Sequence, residues 1–181
     1  PVKDCAATLA ERCATAVQAI VFCPPVVTFK DATNARADNV AEGLELSVDC
    51  DQTPVTARSK LESLLGPATI VVASGGEWTD PETGELQDKL HLHWRLNKPT
   101  QTNEYHALLR KARALATKLV GGDDTNAALV HPIRWPGSVH RKGEPRLARI
   151  VSLNADAEID LGDALEVLKD AAGAGVLSEC G

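Results

Sequence analysis

DKLHLHWRL, residues 88–96, is the stretch on which the fold turns. Its apolar residues alternate with polar ones, the period of a β-strand, so successive side chains leave opposite faces. His91 and His93 then point one way while Leu90, Leu92 and Trp94 point the other. Two histidines on one strand face are most simply a solvated surface. Their meaning depends on what the rest of the chain brings to that face.

The chain has 181 residues, enough for one domain with a real core. With 44% hydrophobic and 24% charged residues it reads as a soluble globular protein. It contains two Phe, one Tyr and three Trp, so the core must be built from Leu, Val, Ile and Ala. No apolar run approaches the roughly 20 residues of a membrane helix, and no signal peptide is visible; the cysteines read as reduced thiols in a cytoplasm. The chain opens PVKDC without Met, as expected of a processed end or a core cut from a longer protein. The five cysteines, Cys5, Cys13, Cys23, Cys50 and Cys180, are scattered without a CxxC, so neither structural zinc nor a disulfide framework is expected. The net charge of −6 argues against a long nonspecific nucleic-acid track. Between His131 and Arg149, however, Arg134, Arg141, Lys142, Arg146 and Arg149 stand against Glu144 alone. One basic patch on an acidic body suits a local phosphate site.

Outward from the histidine strand, the spacing predicts a helix over DCAATLAERCATAVQAI (4–20), ended by CPPVV, and a strand through GLELSVD (43–49). VTARSKLESLLG (55–66) reads as a helix stopped by Gly66, and TIVVAS (69–74) as a buried strand. The polar, turn-rich GGEWTDPETGELQD (75–88) reads as a long hairpin loop leading into LHLHWRL. TNEYHALLRKARALATKLVGG (102–122) carries Leu108, Leu109, Ala112, Leu115, Ala116 and Leu119 on one helical face. RLARIVSL (146–153) reads as a strand, and DLGDALEVLKDAA (160–172) as a last helix with Asp160 near its start. The order implies an α/β or α+β fold around a mainly antiparallel sheet.

Three places carry chemistry. In VDCDQTP, Asp49 and Asp51 leave the same face of a strand end. Two carboxylates so close repel unless a cation sits between them, and hard oxygen donors suit Mg²⁺ or Mn²⁺. The histidine pair is the second place. The third, GGDDTNAALVHPIRWPGSVHRKGEPRL (121–147), holds Asp123 and Asp124 and then a Pro136-Gly137 turn. That turn lets Arg134, Ser138, His140, Arg141 and Lys142 converge on one anion, Arg as a planar fork and Lys as a point charge. Carboxylates for metal beside imidazole and guanidinium groups for a triphosphate are the parts of two-metal nucleotidyl transfer.

In this combination the chain resembles the primase-polymerases of the archaeo-eukaryotic primase superfamily, in particular the plasmid- and phage-type RepB-like group. The resemblance rests on Asp49-Cys50-Asp51 as DxD, ASGG (73–76) followed by LHLHW, GGD ending at Asp123, and Arg134-Trp135-Pro136-Gly137-Ser138 with Lys142. It spans about Leu44 to Leu153. It implies an α+β fold, mainly antiparallel, with an RRM-like catalytic core flanked by helices. The expected organisation is a single domain: an N-terminal part over 1–40, the catalytic core over 41–155 and a C-terminal helix over 156–181. Asp49, Asp51 and Asp123 would hold two divalent ions, Mg²⁺ or Mn²⁺. His91 would contact the triphosphate, with His93, Arg134, Ser138, His140 and Lys142 in the nucleotide site. The family pattern usually has an aromatic residue where this chain has His93, and Asp124 competes with Asp123. The implied partners are a single-stranded DNA template, a primer strand, an NTP or dNTP, and a helicase domain or protein.

Three other readings remain. A rolling-circle initiator or relaxase of the HUH type also uses His-hydrophobic-His, with Tyr105 as its nucleophile; Leu109 stands where one version has lysine. A nucleotide- or DNA-binding module with an inactive site is the second. A DxD glycosyltransferase is more distant, because it needs a longer nucleotide-binding domain. Trp78 would stack on a template base or cover the hairpin, Trp135 reads as core, and His106 and His131 receive no role.

Overall fold

A computed structural model describes residues 2–17, 27–134 and 136–178. All of the CPPVV break but Val27, with Trp135 and Cys180, lies outside the described residues. The elements run α1 (Val2–Thr15), β1 (Val27–Phe29), β2 (Val40–Cys50), α2 (Pro54–Leu65), β3 (Ile70–Thr79), β4 (Leu86–Thr100), α3 (Asn103–Leu119), β5 (Val139–His140), β6 (Arg146–Leu147), β7 (Arg149–Leu153) and α4 (Leu161–Ser178). Short 3₁₀ turns cover Ala37–Asn39 and Asp124–Ala127. Five strands form one sheet in the order β1-β2-β4-β3-β7, every neighbouring pair antiparallel, and β5 with β6 forms a separate small hairpin. The fold is α+β with a mainly antiparallel sheet.

β4 lies at the centre, and its alternation builds two different surfaces. Leu90, Leu92, Trp94 and Leu96 are buried in the core with Leu46 and Val48 of β2. Three helices close that side, through Leu61 of α2, Leu109 and Ala112 of α3, and Leu165 and Leu168 of α4. Trp94 is fully buried, and its indole N–H donates to the Gly66 carbonyl at 2.9 Å, so its polar edge is satisfied. Removing a fully buried leucine such as Leu92 costs about 2–5 kcal/mol, because the core relaxes only partly into the gap.

The helices follow their local signals. Pro54 opens α2 where its missing N–H is harmless, and Gly66 closes it at φ +80°, a backbone only glycine adopts freely. The Thr102 hydroxyl accepts from the Tyr105 N–H to cap α3, and Asp160 accepts from the Gly162 and Asp163 N–H groups at the start of α4.

The predicted long loop over 75–88 is the main departure. β3 continues through Ser74-Gly75-Gly76 to Thr79, and the turn shrinks to residues 80–85. Pairing passes from Ala73–Leu90 to Glu77–Asp88, so three residues of β3 face Lys89 alone across a bulge. Gly75 sits there at φ +82°, and a Cβ on it would lie 2.8 Å from both the Arg146 carbonyl oxygen and the His140 Cβ. The two glycines therefore mark a bulge that admits the β5–β6 hairpin, and the strand does not end at them. The short strand β1 and the turn at Ala37–Asn39 lie in a polar stretch without usable periodicity.

Candidate active site

β2 and β4 pair Asp49 with His91 and Ser47 with His93, so the polar residues of both strands share the face away from the helices. The segment Pro132–Arg134, with His140, lies over that face. A cleft forms between sheet and segment, lined by Asp49 and Asp51 of the β2 end, Ser74 of the bulge, and Lys89 and His91 of β4. Its other wall is Pro132, Ile133, Arg134, His140 and Lys142. Arg113 of α3, fully buried, anchors this wall by donating to the carbonyls of Ala128 and Glu45, each at 3.0 Å.

The charges in the cleft are poorly balanced. Asp49 is nearly buried, and burial, followed by repulsion from Asp51, pushes its carboxyl up to about 7. The positive charges of Lys89 and Arg134 oppose that rise, and Lys89 also forms an ion pair with Asp51 at 3.1 Å. Burial first, and then the neighbouring His93, Arg134 and His131, hold the His91 imidazole down to about 3. His91 Nε2 lies 3.5 Å from Asp49 Oδ1, a contact between a neutral ring and a reluctant carboxylate, not a strong ion pair. His140 is also shifted down, by burial and then by Arg134, Lys142, Lys89 and Arg146.

Four buried polar atoms here have no hydrogen-bond partner: Asp49 Oδ1, His91 Nδ1, Arg134 Nε and His140 Nδ1. Unsatisfied polar groups are costly in a folded interior, and their convergence on one cleft marks a place built for a polar, charged ligand. The donor set suits one carrying both signs, a hard divalent cation at the carboxylates and phosphate oxygens at the cations.

The expected site residues divide. Asp49, Asp51, His91, Arg134, His140 and Lys142 line the same cleft. His93 does not line it; its Nδ1 donates to Glu45 Oε1 at 2.7 Å, a buried pair behind the cleft. Ser138 is buried, and its carbonyl accepts from the Ala148 N–H at 2.8 Å. Asp123 follows Gly122, which packs against the Asp49 carbonyl, yet its exposed carboxylate accepts from the Thr125 N–H at 2.9 Å and does not line the cleft. Among the described residues, no three His, Cys, Asp or Glu side chains are gathered as a ready ligand set. The side chain of Asp124 lies outside the description.

Sequence reasoning missed Lys89, although strand alternation places it on the face of His91 and His93. It also missed His131, which Asp123 and His91 both sense electrostatically. Tyr105 is exposed and lines a different groove, with Thr100, Thr102 and Asp160. Trp78 pairs with Gln87 in the hairpin and is half-buried. His106 is buried and donates to the Thr100 carbonyl, a structural bond. No helix of the described residues is long and apolar enough to cross a membrane.

No protein-family model matches the sequence, and no curated protein does. Solved structures do match the fold. The AEP domain of the cyanophage S-2L primase-polymerase is similar at 19% identity and TM-score 0.56, over 78% of this chain and 68% of that one. The primase RepB' is similar at 12% identity and TM-score 0.50, over 79% of this chain and 43% of that one. At such identities the likeness is one of architecture, and it is the architecture expected from the motifs: the chain has an archaeo-eukaryotic primase-like fold.

Proposed function

We propose that the protein catalyses template-directed nucleotidyl transfer, as a DNA primase or polymerase in the replication of a plasmid, phage or mobile element. The observation that carries this reading is one cleft, on a primase-like fold, where a carboxylate pair only partly offset by Lys89 and Arg134 meets a cluster of cations. Asp49 and Asp51 would hold Mg²⁺ or Mn²⁺, with Asp123 joining them on leaving Thr125. The orphaned Asp49 oxygen and the repulsion within the pair fit a hard divalent cation. Such ions, when bound, activate the attacking hydroxyl and offset charge on the phosphates.

The remaining residues bind and orient the nucleotide. His91 is uncharged, so it serves a triphosphate as a hydrogen-bonding group. Arg134 presents a planar fork and Lys142 a mobile point charge to the leaving pyrophosphate, with His140 between them. The substrates are an NTP or dNTP, a single-stranded DNA template and a primer strand.

The test is incubation with template, primer, labelled nucleotides and Mn²⁺ or Mg²⁺. Templated products are expected, lost by orders of magnitude in Asp49→Ala and Asp51→Ala and retained in Tyr105→Phe. A covalent DNA adduct lost in Tyr105→Phe would replace this reading by nicking. Nucleotide binding without product would replace it by a binding module, the reading that the outward-turned Asp123 favours.

A further inference from the structure

Lys89 belongs to no motif, yet the fold gives it a distinctive place. It is the single β4 residue facing the three-residue bulge of β3. Its stem runs over Gly76, where any Cβ would come within 3.0 Å of the Lys89 Cδ. The absent side chain leaves the ammonium a lane to Asp51, 3.1 Å away. Lys89 also stands among the four cations that act on His140, so it touches both the carboxylate side and the phosphate side of the cleft.

We propose that Lys89 is a built-in counterion of the Asp49–Asp51 pair, displaced from Asp51 when a divalent cation binds and then free to contact nucleotide phosphate oxygens beside His140. The ion pair is present in the structure; the divalent cation and the nucleotide rest on the nucleotidyl-transfer reading. One flexible side chain then couples two binding events. Without nucleotide, an incoming cation must displace the ammonium; with nucleotide, the displaced ammonium gains a phosphate partner. Metal and nucleotide therefore strengthen each other's binding, by the same factor in either order.

The experiment is calorimetric titration of Mn²⁺ into nucleotide-free wild-type, Lys89→Met and Lys89→Arg proteins, repeated with a non-hydrolysable nucleoside triphosphate. Lys89 and Asp51 are 30% and 53% exposed, so the competition is modest: Lys89→Met should bind Mn²⁺ about three- to tenfold tighter without nucleotide. Its cooperation between Mn²⁺ and the triphosphate should shrink, and Lys89→Arg should stay near wild type. Equal or weaker Mn²⁺ binding by Lys89→Met overturns the proposal, as does equal tightening in Lys89→Arg, which would assign the effect to the stem. If wild type extends primers while Lys89→Met binds Mn²⁺ no tighter, the counterion falls and the polymerase reading stands. Tighter Mn²⁺ binding in a protein that makes no product supports the counterion and removes the polymerase.

Discussion

Asp49→Asn should stabilise the metal-free protein at alkaline pH while abolishing its function. The wild-type side chain is 18% exposed, and burial, with Asp51 beside it, raises its carboxyl from 3.8 to about 7. An unfolded chain releases that proton near pH 3.9, so between about pH 4 and 7 the folded form holds a proton the unfolded form has lost. Stability from this group is whole below about pH 4, falls as pH rises through the window and levels off above pH 7. Some three pH units at about 1.4 kcal/mol each set an upper bound of about 4 kcal/mol, and solvent relaxation brings it to about 2–3. Asparagine keeps the shape and stays neutral, so it removes this penalty. For a chain of 181 residues that is about 5–10 °C in Tm. Thermal unfolding in EDTA should show the gain at pH 8 and none at pH 4. An unchanged Tm at pH 8, or the same gain at both, refutes the claim that this carboxylate is charged against its surroundings.

Arg113→Met should lose about 2–4 kcal/mol in urea unfolding, because the buried Glu45 carbonyl and the half-buried Ala128 carbonyl lose their donor, and amide exchange should quicken mainly over residues 126–134. Gly75→Ala combines a φ of +82° with contacts of 2.8 Å; it should cost about 1–3 kcal/mol and weaken triphosphate binding by displacing His140, measured by unfolding and calorimetry. Gly84→Ala, with φ +73° but nothing within 4 Å, should cost about 1 kcal/mol and leave binding intact. The His91 ring protons should not shift in NMR spectra between about pH 5 and 8, because the imidazole stays neutral; a midpoint near 6.5 contradicts its burial.

Period and punctuation made much of this legible in advance. Leu90 to Trp94 announced a two-faced strand, and Gly66 announced a helix end, because the cause lies within a few residues of its effect. Gly75 and Gly76 misled for the same reason: a glycine pair before a polar stretch looks like a turn from either side, and only the partner hairpin shows that it is a bulge. Asp123 sits where the motif order puts it in the chain, but a Thr125 N–H two residues away claims its carboxylate, a local bond that spacing does not rank. Arg113 hides within an apolar helix face because its partners, Glu45 and Ala128, come from other elements.

β4 supplies the greasy interior with one set of side chains and the reactive hollow with the next, at a spacing of one residue. Inserting or deleting a single amino acid between Lys89 and Arg95 would drive Trp94 into the hollow and the imidazoles into the oil. Length changes there survive only in pairs, whereas the 80–85 tip can grow freely. In any lineage of such chains, indels should pile up at the tip and spare the strand.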